Sequence, residues 1–308
     1  MAKVVVIIVT YNPKKWIEKC FSSLKTSTIP VSIIAIDNGS IDGSQKIIKE
    51  NYPEVDFLQF EENLGFGKAN NIGIKKAYDE GADYVYLLNQ DAWIEPNTIK
   101  NLIDVANRNP SYGIVSSLHL NGNGTALDLK FSNYLGTTSC PNFVSDLSLK
   151  KQLAEIYPCS FINAAAWLLP RKTIETCGGF DPLFYHYGED DNYCQRVLFH
   201  GLKIGVVPSE RIYHDRPQTL NQENAFDNVN KYQKYVNTII ANVNNENFEK
   251  AYNKQLNKLK REMYASLFTL NILNFKRWYS LYKRLKNSKS RLLLSYESNK
   301  SKKLLYLE

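Results

Sequence analysis

The stretch Tyr84-Val-Tyr-Leu-Leu-Asn-Gln-Asp91 is a run of aromatic and aliphatic residues that stops at a polar triplet, Asn89-Gln90-Asp91. It is shorter than a helix needs and is bounded by polar residues, so it reads as a strand buried on both faces. In an open sheet, ligands bind outside the carboxyl ends of the strands. Asp91 therefore faces a crevice, and it is the candidate metal ligand around which the other motifs are read.

Upstream of this strand, apolar runs at Val4–Val9, Val31–Ile36 and Val55–Phe60 predict three more strands. Helical patterns separate them: Trp16, Ile17, Cys20, Phe21 and Leu24 with Pro13 in the first turn, then Ile47 and Ile48 after Asp42 or Gly43, then about Gly67 to Tyr78. Alternation of this kind implies a mostly parallel sheet with helices on both faces and right-handed crossovers. Downstream, Ile99, Leu102, Ile103, Val105 and Ala106 predict a helix closed by Asn109-Pro110, and Ile114–Leu120 a strand. Asn121–Lys150 is rich in Asn, Gly, Ser and Thr and reads as loops and short strands. A buried strand over Phe161–Leu169, helices over Lys172–Cys177 and Asn192–Phe199, and a strand at Ile204–Val207 follow. From about Asn221 the pattern is helical throughout, with Phe226, Val229, Tyr232 or Gln233, Val236 and Ile239 or Ile240 at three-to-four spacing.

A chain of 308 residues with 44% hydrophobic content buries a sizeable core and exceeds one average domain. Its net charge of +7 is unevenly spread: from Ala251 onward fourteen Lys/Arg face three Glu, a net +11, which leaves −4 for the remainder. A basic tail on a mildly acidic body points to an anionic surface as partner. Five cysteines without C-x-x-C spacing indicate neither a disulfide framework nor a zinc site, and a reducing compartment fits them. No targeting signal is evident, and no apolar run approaches the roughly 20 residues that span a bilayer.

Four motifs carry chemistry. Asp37-Asn38-Gly39-Ser40-Ile41-Asp42-Gly43-Ser44 follows the second strand directly; its glycines permit a tight turn, and Asp37 and Asn38 can bind a base or ribose at the strand tip. Helix capping by Ser40 or Asp42 accounts for the same residues without a ligand. In Asn63–Gly73, Gly65 and Gly67 ahead of a helix, with Lys68 in its first turn, suit a phosphate at a helix N-terminus; an ordinary glycine turn is the alternative. Glu189, Asp190 and Asp191 stand at a helix start, where one carboxylate suffices for capping. Three adjacent negative charges repel, which raises a pKa and prepares a general base. Arg196, roughly one and a half turns beyond Asp191, can screen that cluster or reach a phosphate. His214, at the exit of the last strand, reads either as an ordinary surface or core histidine or as the partner that Asp91 would need to hold a divalent ion.

Together Thr10-Tyr-Asn12, Asp37–Ser44, Asn63–Gly73, Leu88-Asn-Gln-Asp91, Gly178-Gly-Phe-Asp181, Gly188-Glu-Asp190 and the late His214 resemble the inverting family 2 glycosyltransferases of the GT-A fold. The bacterial rhamnosyltransferase-like branch is the nearest in pattern, and the resemblance covers about Lys3 to Arg216. It implies an α/β fold: a Rossmann-like mixed, mostly parallel sheet flanked by helices, with a C-terminal helical extension. The catalytic unit would span residues 1–220, with a nucleotide-sugar half to about 118 and an acceptor half from about 119; residues 221–308 would form the basic extension. The resemblance further implies a nucleotide-diphosphate sugar donor, a divalent metal (Mn²⁺ or Mg²⁺), and a saccharide acceptor, lipid-linked acceptors included, in cell-surface polysaccharide synthesis. The implied location is cytoplasmic, including the inner face of the cell membrane. Thr10 and Tyr11 would line the nucleotide pocket, Asp37 and Asn38 would contact base and ribose, and Lys68, Asn71, Asn89 and Arg196 would lie along the donor. Asp91 would ligate the metal, with His214 on metal or diphosphate; Asp190 would be the base, with Glu189 beside it. Two departures stand out: the family's Asp-x-Asp is Asn89-Gln90-Asp91, and its second acid after the second strand is Asn38.

In the tail, Leu267, Leu270, Trp278, Leu281 and Leu285 recur at helical spacing among Lys276, Arg277, Lys283 and Arg284. A helix lying on an anionic membrane and a helix packed on the catalytic unit or on a second subunit both fit. No recognised module accompanies the charge, so nucleic acid is not an expected partner. A nucleotidyltransferase would carry a Gly-rich basic loop after its first strand, and Thr10-Tyr-Asn-Pro-Lys14 is not one. A non-catalytic nucleotide-sugar-binding protein has no need of the intact Glu189-Asp190 pair.

Overall fold

A computed structural model describes residues 2–185, 187–218 and 228–307. The expected boundary at 220/221, the helical start near Asn221 and Phe226 lie outside the described residues.

The first strand, β1 (Val4–Thr10), shows why the sheet forms where it does. Val5 and Ile7 point to one face, where they pack with Ala69, Ile74 and Ala77 of α3 (Phe66–Asp79). Val4, Val6 and Ile8 point to the other, against Ile17, Phe21 and Leu24 of α1 (Ile17–Lys25). Each fully buried Val or Ile contributes about 1.5–3 kcal/mol relative to exposure, so the strand is stabilised from both sides. Helix α3 approaches closely because position 73 has no side chain; a Cβ there would lie 2.7 Å from Ile7.

β1 pairs in parallel with β2 (Ser32–Asn38) and β4 (Tyr84–Leu88), and β2 with β3 (Asp56–Phe60). Helix α2 (Ser44–Asn51) links β2 to β3. The sequence also forms β5 (Ala92–Ile94), α4 (Thr98–Arg108), β6 (Tyr112–Asn121), α5 (Leu129–Ser132), α6 (Phe143–Ser148), β7 (Tyr157–Cys159), β8 (Ala166–Pro170), α7 (Arg171–Cys177), α8 (Glu189–Phe199) and β9 (Lys203–His214). The sheet order is β3-β2-β1-β4-β8-β6-β9-β5, with β7 on β9. It is mixed: β8 runs antiparallel between β4 and β6, and β6 is parallel to β9.

Three local expectations change. The Asn121–Lys150 segment holds α5, a 3₁₀ turn at Asn133–Leu135 and α6, each anchored by a buried apolar residue (Phe131, Leu135, Phe143). The strand expected from Phe161 begins at Ala166, because Ala165 N–H turns back onto Asn163 O at 2.9 Å. The last strand runs on from Val207 to His214 after a register shift between Ser117 and Leu118 of its β6 partner.

Beyond the sheet, α9 (Val229–Ile240), α10 (Phe248–Phe268) and α11 (Ile272–Ser298) close a core of Tyr232, Val236, Phe248, Leu259, Leu281 and Leu292 around Phe184 of the body. Leu281 and Leu285 are buried there, as the packed-helix alternative has them. Asp181 fastens this unit to the body. Its Oδ2 accepts from Ser295 Oγ at 2.6 Å, Asn299 Nδ2 at 2.7 Å and Tyr306 OH at 3.2 Å. Among the described residues no helix is long and apolar enough to cross a membrane.

Candidate functional site

The carboxyl ends of β1, β2 and β4 open onto a crevice of about 260 Å³, lined by Tyr11, Asn38, Asn63, Phe66, Gln90 and Asp91, with Asn89 at its edge. Thr10, buried at the end of β1, donates to Asp37 Oδ1 at 3.0 Å. Asp37 also accepts from Ser40 N–H at 3.1 Å and Gln45 Nε2 at 2.9 Å, so its carboxylate organises the loop after β2. Asn38 turns toward the crevice and accepts from Leu64 N–H at 3.3 Å. Neither Ser40 nor Asp42 is the N-cap of α2, which is Gly43; Asp42 accepts from Ser44 N–H at 3.0 Å in the turn just ahead of the helix. Gln90 clamps Tyr11 by its backbone: Tyr11 N–H donates to Oε1 at 2.6 Å, and Nε2 donates to Tyr11 O at 3.1 Å. The Tyr11 ring stays half exposed over the opening.

Asp91 sits in a turn closed by Ala92 N–H on Asn89 O at 3.0 Å. Strand β5 then pairs Ala92 with His214 at the end of β9. This brings Asp91 Oδ1 to 3.3 Å from His214 Nε2. His214 is buried, and its other ring nitrogen has no hydrogen-bond partner among the described residues; Asp128 Oδ2 lies 3.8 Å from it. Burial alone would raise the Asp128 carboxyl, but the Arg216 fork (Nε to Oδ2, 2.6 Å) and Phe131 N–H hold it well below the usual carboxylate range. Arg216, Asp128, His214 and Asp91 thus form a row behind the crevice floor. Ligands on adjacent corners of an octahedron with ~2.1 Å bonds stand about 3 Å apart, and the Asp91–His214 spacing fits that. Among the described residues no group of three or more His, Cys, Asp or Glu side chains could hold a metal ion. Among the described residues, a metal ion at this point would find only these two protein side chains, and ligand oxygens or water would have to supply the rest of its shell.

The acidic cluster begins α8. Glu189 is buried against the first turn of α3, where a Cβ on Gly67 would lie 3.7 Å from its own Cβ. Burial, and then the charge of Asp190, push the Glu189 carboxyl up to about 8. Burial, and then the charge of Asp191, push Asp190 up to about 7, although an N–H of Ala164 favours its charged form. The next residue, Ala165, accepts from Asn89 N–H at 2.9 Å, so one backbone segment touches both the acids and the crevice. Asn163 heads that segment, buried, with its amide oxygen unpaired. Sequence reading missed it, along with Gln90, Asn63, Phe66, Asp128 and Arg216.

Three expected donor residues are placed elsewhere. Arg196 is fully buried; its guanidinium binds Asn192 Oδ1 at 3.0 Å, Gly179 O at 2.6 Å and Cys177 O, and so holds the turn before the acids instead of a phosphate. Asn71 spends both ends of its amide on the Phe180 backbone, at 2.6 and 2.8 Å. Lys68 is exposed and lines a hollow of about 820 Å³ with Lys75, Lys76 and Leu307, which shares no residue with the crevice.

Residues 5–172 match the family model for glycosyl transferase family 2. Among similar proteins is the N-acetylglucosaminyl-diphospho-decaprenol L-rhamnosyltransferase of Mycobacterium tuberculosis, 27% identical over 71% of this chain and 78% of that protein. The dTDP-rhamnosyl transferase RfbF of Shigella flexneri is 25% identical over 68% and 67%. In three dimensions the chain is similar to S. aureus TarS, solved with UDP-GlcNAc, at a TM-score of 0.57 and 15% identity over 97% of this chain and 88% of the other. GalNAc-T7, solved with UDP, GalNAc and Mn²⁺, superposes at 0.56 with 17% identity over 78% of this chain and 48% of that one.

Proposed function

This chain belongs to glycosyl transferase family 2 and is a glycosyltransferase with the GT-A fold, and we propose that it transfers rhamnose or a related hexose from a nucleotide-diphosphate donor to a hydroxyl of a lipid-linked saccharide, inverting the anomeric centre. The observation that carries this reading is the pairing of the Tyr11–Asn38–Asp91 crevice with Glu189 and Asp190, held at about 8 and about 7. The two rhamnosyltransferase relatives and the decaprenol-linked substrate in the name of one support the donor and acceptor classes.

In this mechanism Tyr11 and Asn38 bind base and ribose, and the loop built on Asp37 keeps them in place. Asp190 takes the proton of the acceptor hydroxyl as its oxygen bonds to the anomeric carbon. The bond from that carbon to the diphosphate oxygen breaks, and the electron pair leaves with the nucleotide diphosphate. Asp91 and His214 would hold a divalent ion that neutralises charge on the departing diphosphate. Asp128, fixed by Arg216, places a carboxylate 3.8 Å behind the other ring nitrogen of His214.

The test is donor binding and hydrolysis across UDP-, dTDP- and GDP-sugars, with Mn²⁺, Mg²⁺ or chelator. One donor is expected to bind and turn over; binding of none would overturn the reading. A base that must be ionised also sets the sign of the pH dependence. Transfer should rise about tenfold per unit below pH 7 and level off above it. A flat profile between pH 5 and 8 would remove Asp190 from that role. Gln90→Ala, which frees the Tyr11 backbone, is expected to weaken nucleotide binding about tenfold, the scale of one or two hydrogen bonds. Calorimetric titration with the nucleoside diphosphate reads it, and unchanged affinity would show that Tyr11 does not bind the nucleotide.

A further inference from the structure

The hairpin of α10 and α11 ends in side chains that no described residue covers. Phe268 is 89% exposed, Leu270 80%, Leu273 61%, Ile272 53% and Leu267 47%. All five lie within seven consecutive residues at the connection between the two helices. Leu270 is in the left-handed region at φ 56°, a turn position that Gly or Asn fills at lower cost. A connection selected only for the turn would not put a solvated leucine there. Tyr264 and Tyr279, both half exposed, flank the tip as amphipathic rings.

Positive charge lies immediately behind. Arg261 is about 10 Å along α10 from Phe268, and Lys276 about 6 Å along α11 from Ile272, at 1.5 Å per residue. Lys258, Lys283 and Lys286, also exposed, continue the belt. An apolar end followed by a basic collar matches the cross-section of a bilayer interface, where apolar groups enter about 5–10 Å and cations meet the headgroups. A second copy of the chain would instead bring like charge against like.

We propose that this hairpin tip inserts into the surface of an anionic lipid bilayer, with the Lys/Arg collar on the headgroups. The contact needs neither donor nor acceptor, so it stands independently of the reaction. Co-sedimentation of the full chain with vesicles tests it, comparing phosphatidylcholine alone with phosphatidylcholine containing phosphatidylglycerol. Binding is expected only with the anionic lipid and should weaken with added salt. The double variant Phe268→Glu/Leu270→Glu should lose it about tenfold or more, with its thermal midpoint and donor hydrolysis unchanged. Lys276→Glu should weaken it in part. Absence of binding to anionic vesicles, or binding that the double variant leaves intact, overturns the proposal. So does a concentration-dependent dimer in light scattering that the double variant dissolves, since the occupant would then be a second copy.

Discussion

Asp190→Asn should lower transfer by about 10²–10⁴-fold, the range a positioned general base contributes, with donor affinity unchanged. The substitution keeps the size and one acceptor oxygen, and removes the charge together with the ability to take a proton. A second readout separates this role from simple damage to the site. Because burial raises the Asp190 carboxyl from 3.8 to about 7, the folded state holds a proton that the unfolded chain has already released across that window. Stability contributed by the protonated form is therefore lost as pH rises toward 7, and above 7 the folded chain carries a buried, disfavoured charge. The Asn variant has no such charge. Its thermal midpoint should match the parent near pH 4.5 and exceed it by a few degrees at pH 8. An inactive variant that is also less stable at pH 8 would mean that the carboxylate supports structure. A variant that still transfers would place the base elsewhere, with Glu189 the next candidate.

Asp91→Ala should abolish the metal-dependent part of donor binding, a loss of at least about 100-fold. With only Asp91 and His214 as protein donors among the described residues, removing one leaves a single imidazole that cannot hold a hard divalent cation. Calorimetric titration of the donor with Mn²⁺ or Mg²⁺ and then with chelator is the direct check. The parent should lose affinity on chelation, while the variant should bind weakly and identically in both. If chelation leaves the parent unaffected, Asp91 acts on the sugar or diphosphate without an ion.

The residues whose roles were legible in the sequence are those whose signal is local. Continuous apolar runs mark β1, β2 and β4 because both sheet faces are covered, and a polar triplet after such a run marks the crevice edge. What pairs Asp91 with His214 is β5, whose three residues are too few to show any period. Asp128 was hidden for a different reason. Its partner Arg216 lies 88 residues away, on the far side of a segment whose short helices have weak patterns. Arg196 was misread because its spacing from Asp191 was used and its helical face was not. Asn192, Tyr193, Arg196 and Val197 are all buried, which turns that guanidinium inward to the Gly178–Asp181 turn. Asn71 is the same case on α3: its amide is a staple between halves of the site.

The grip of Asp181 on Ser295 and Asn299 makes the C-terminal hairpin a strut of fixed length. Along α11, Ser295 and Ile272 are separated by about 35 Å at 1.5 Å per residue. One end is bolted to Asp181, eight residues before the acid cluster that begins α8, and the other carries the bare apolar tip. The turn before α8 and the bare tip are therefore held at opposite ends of one stiff helix. With the tip on a surface and Asp190 as the base, the span between the two would be set largely by that helix, and an acceptor would have to be long enough to cross it.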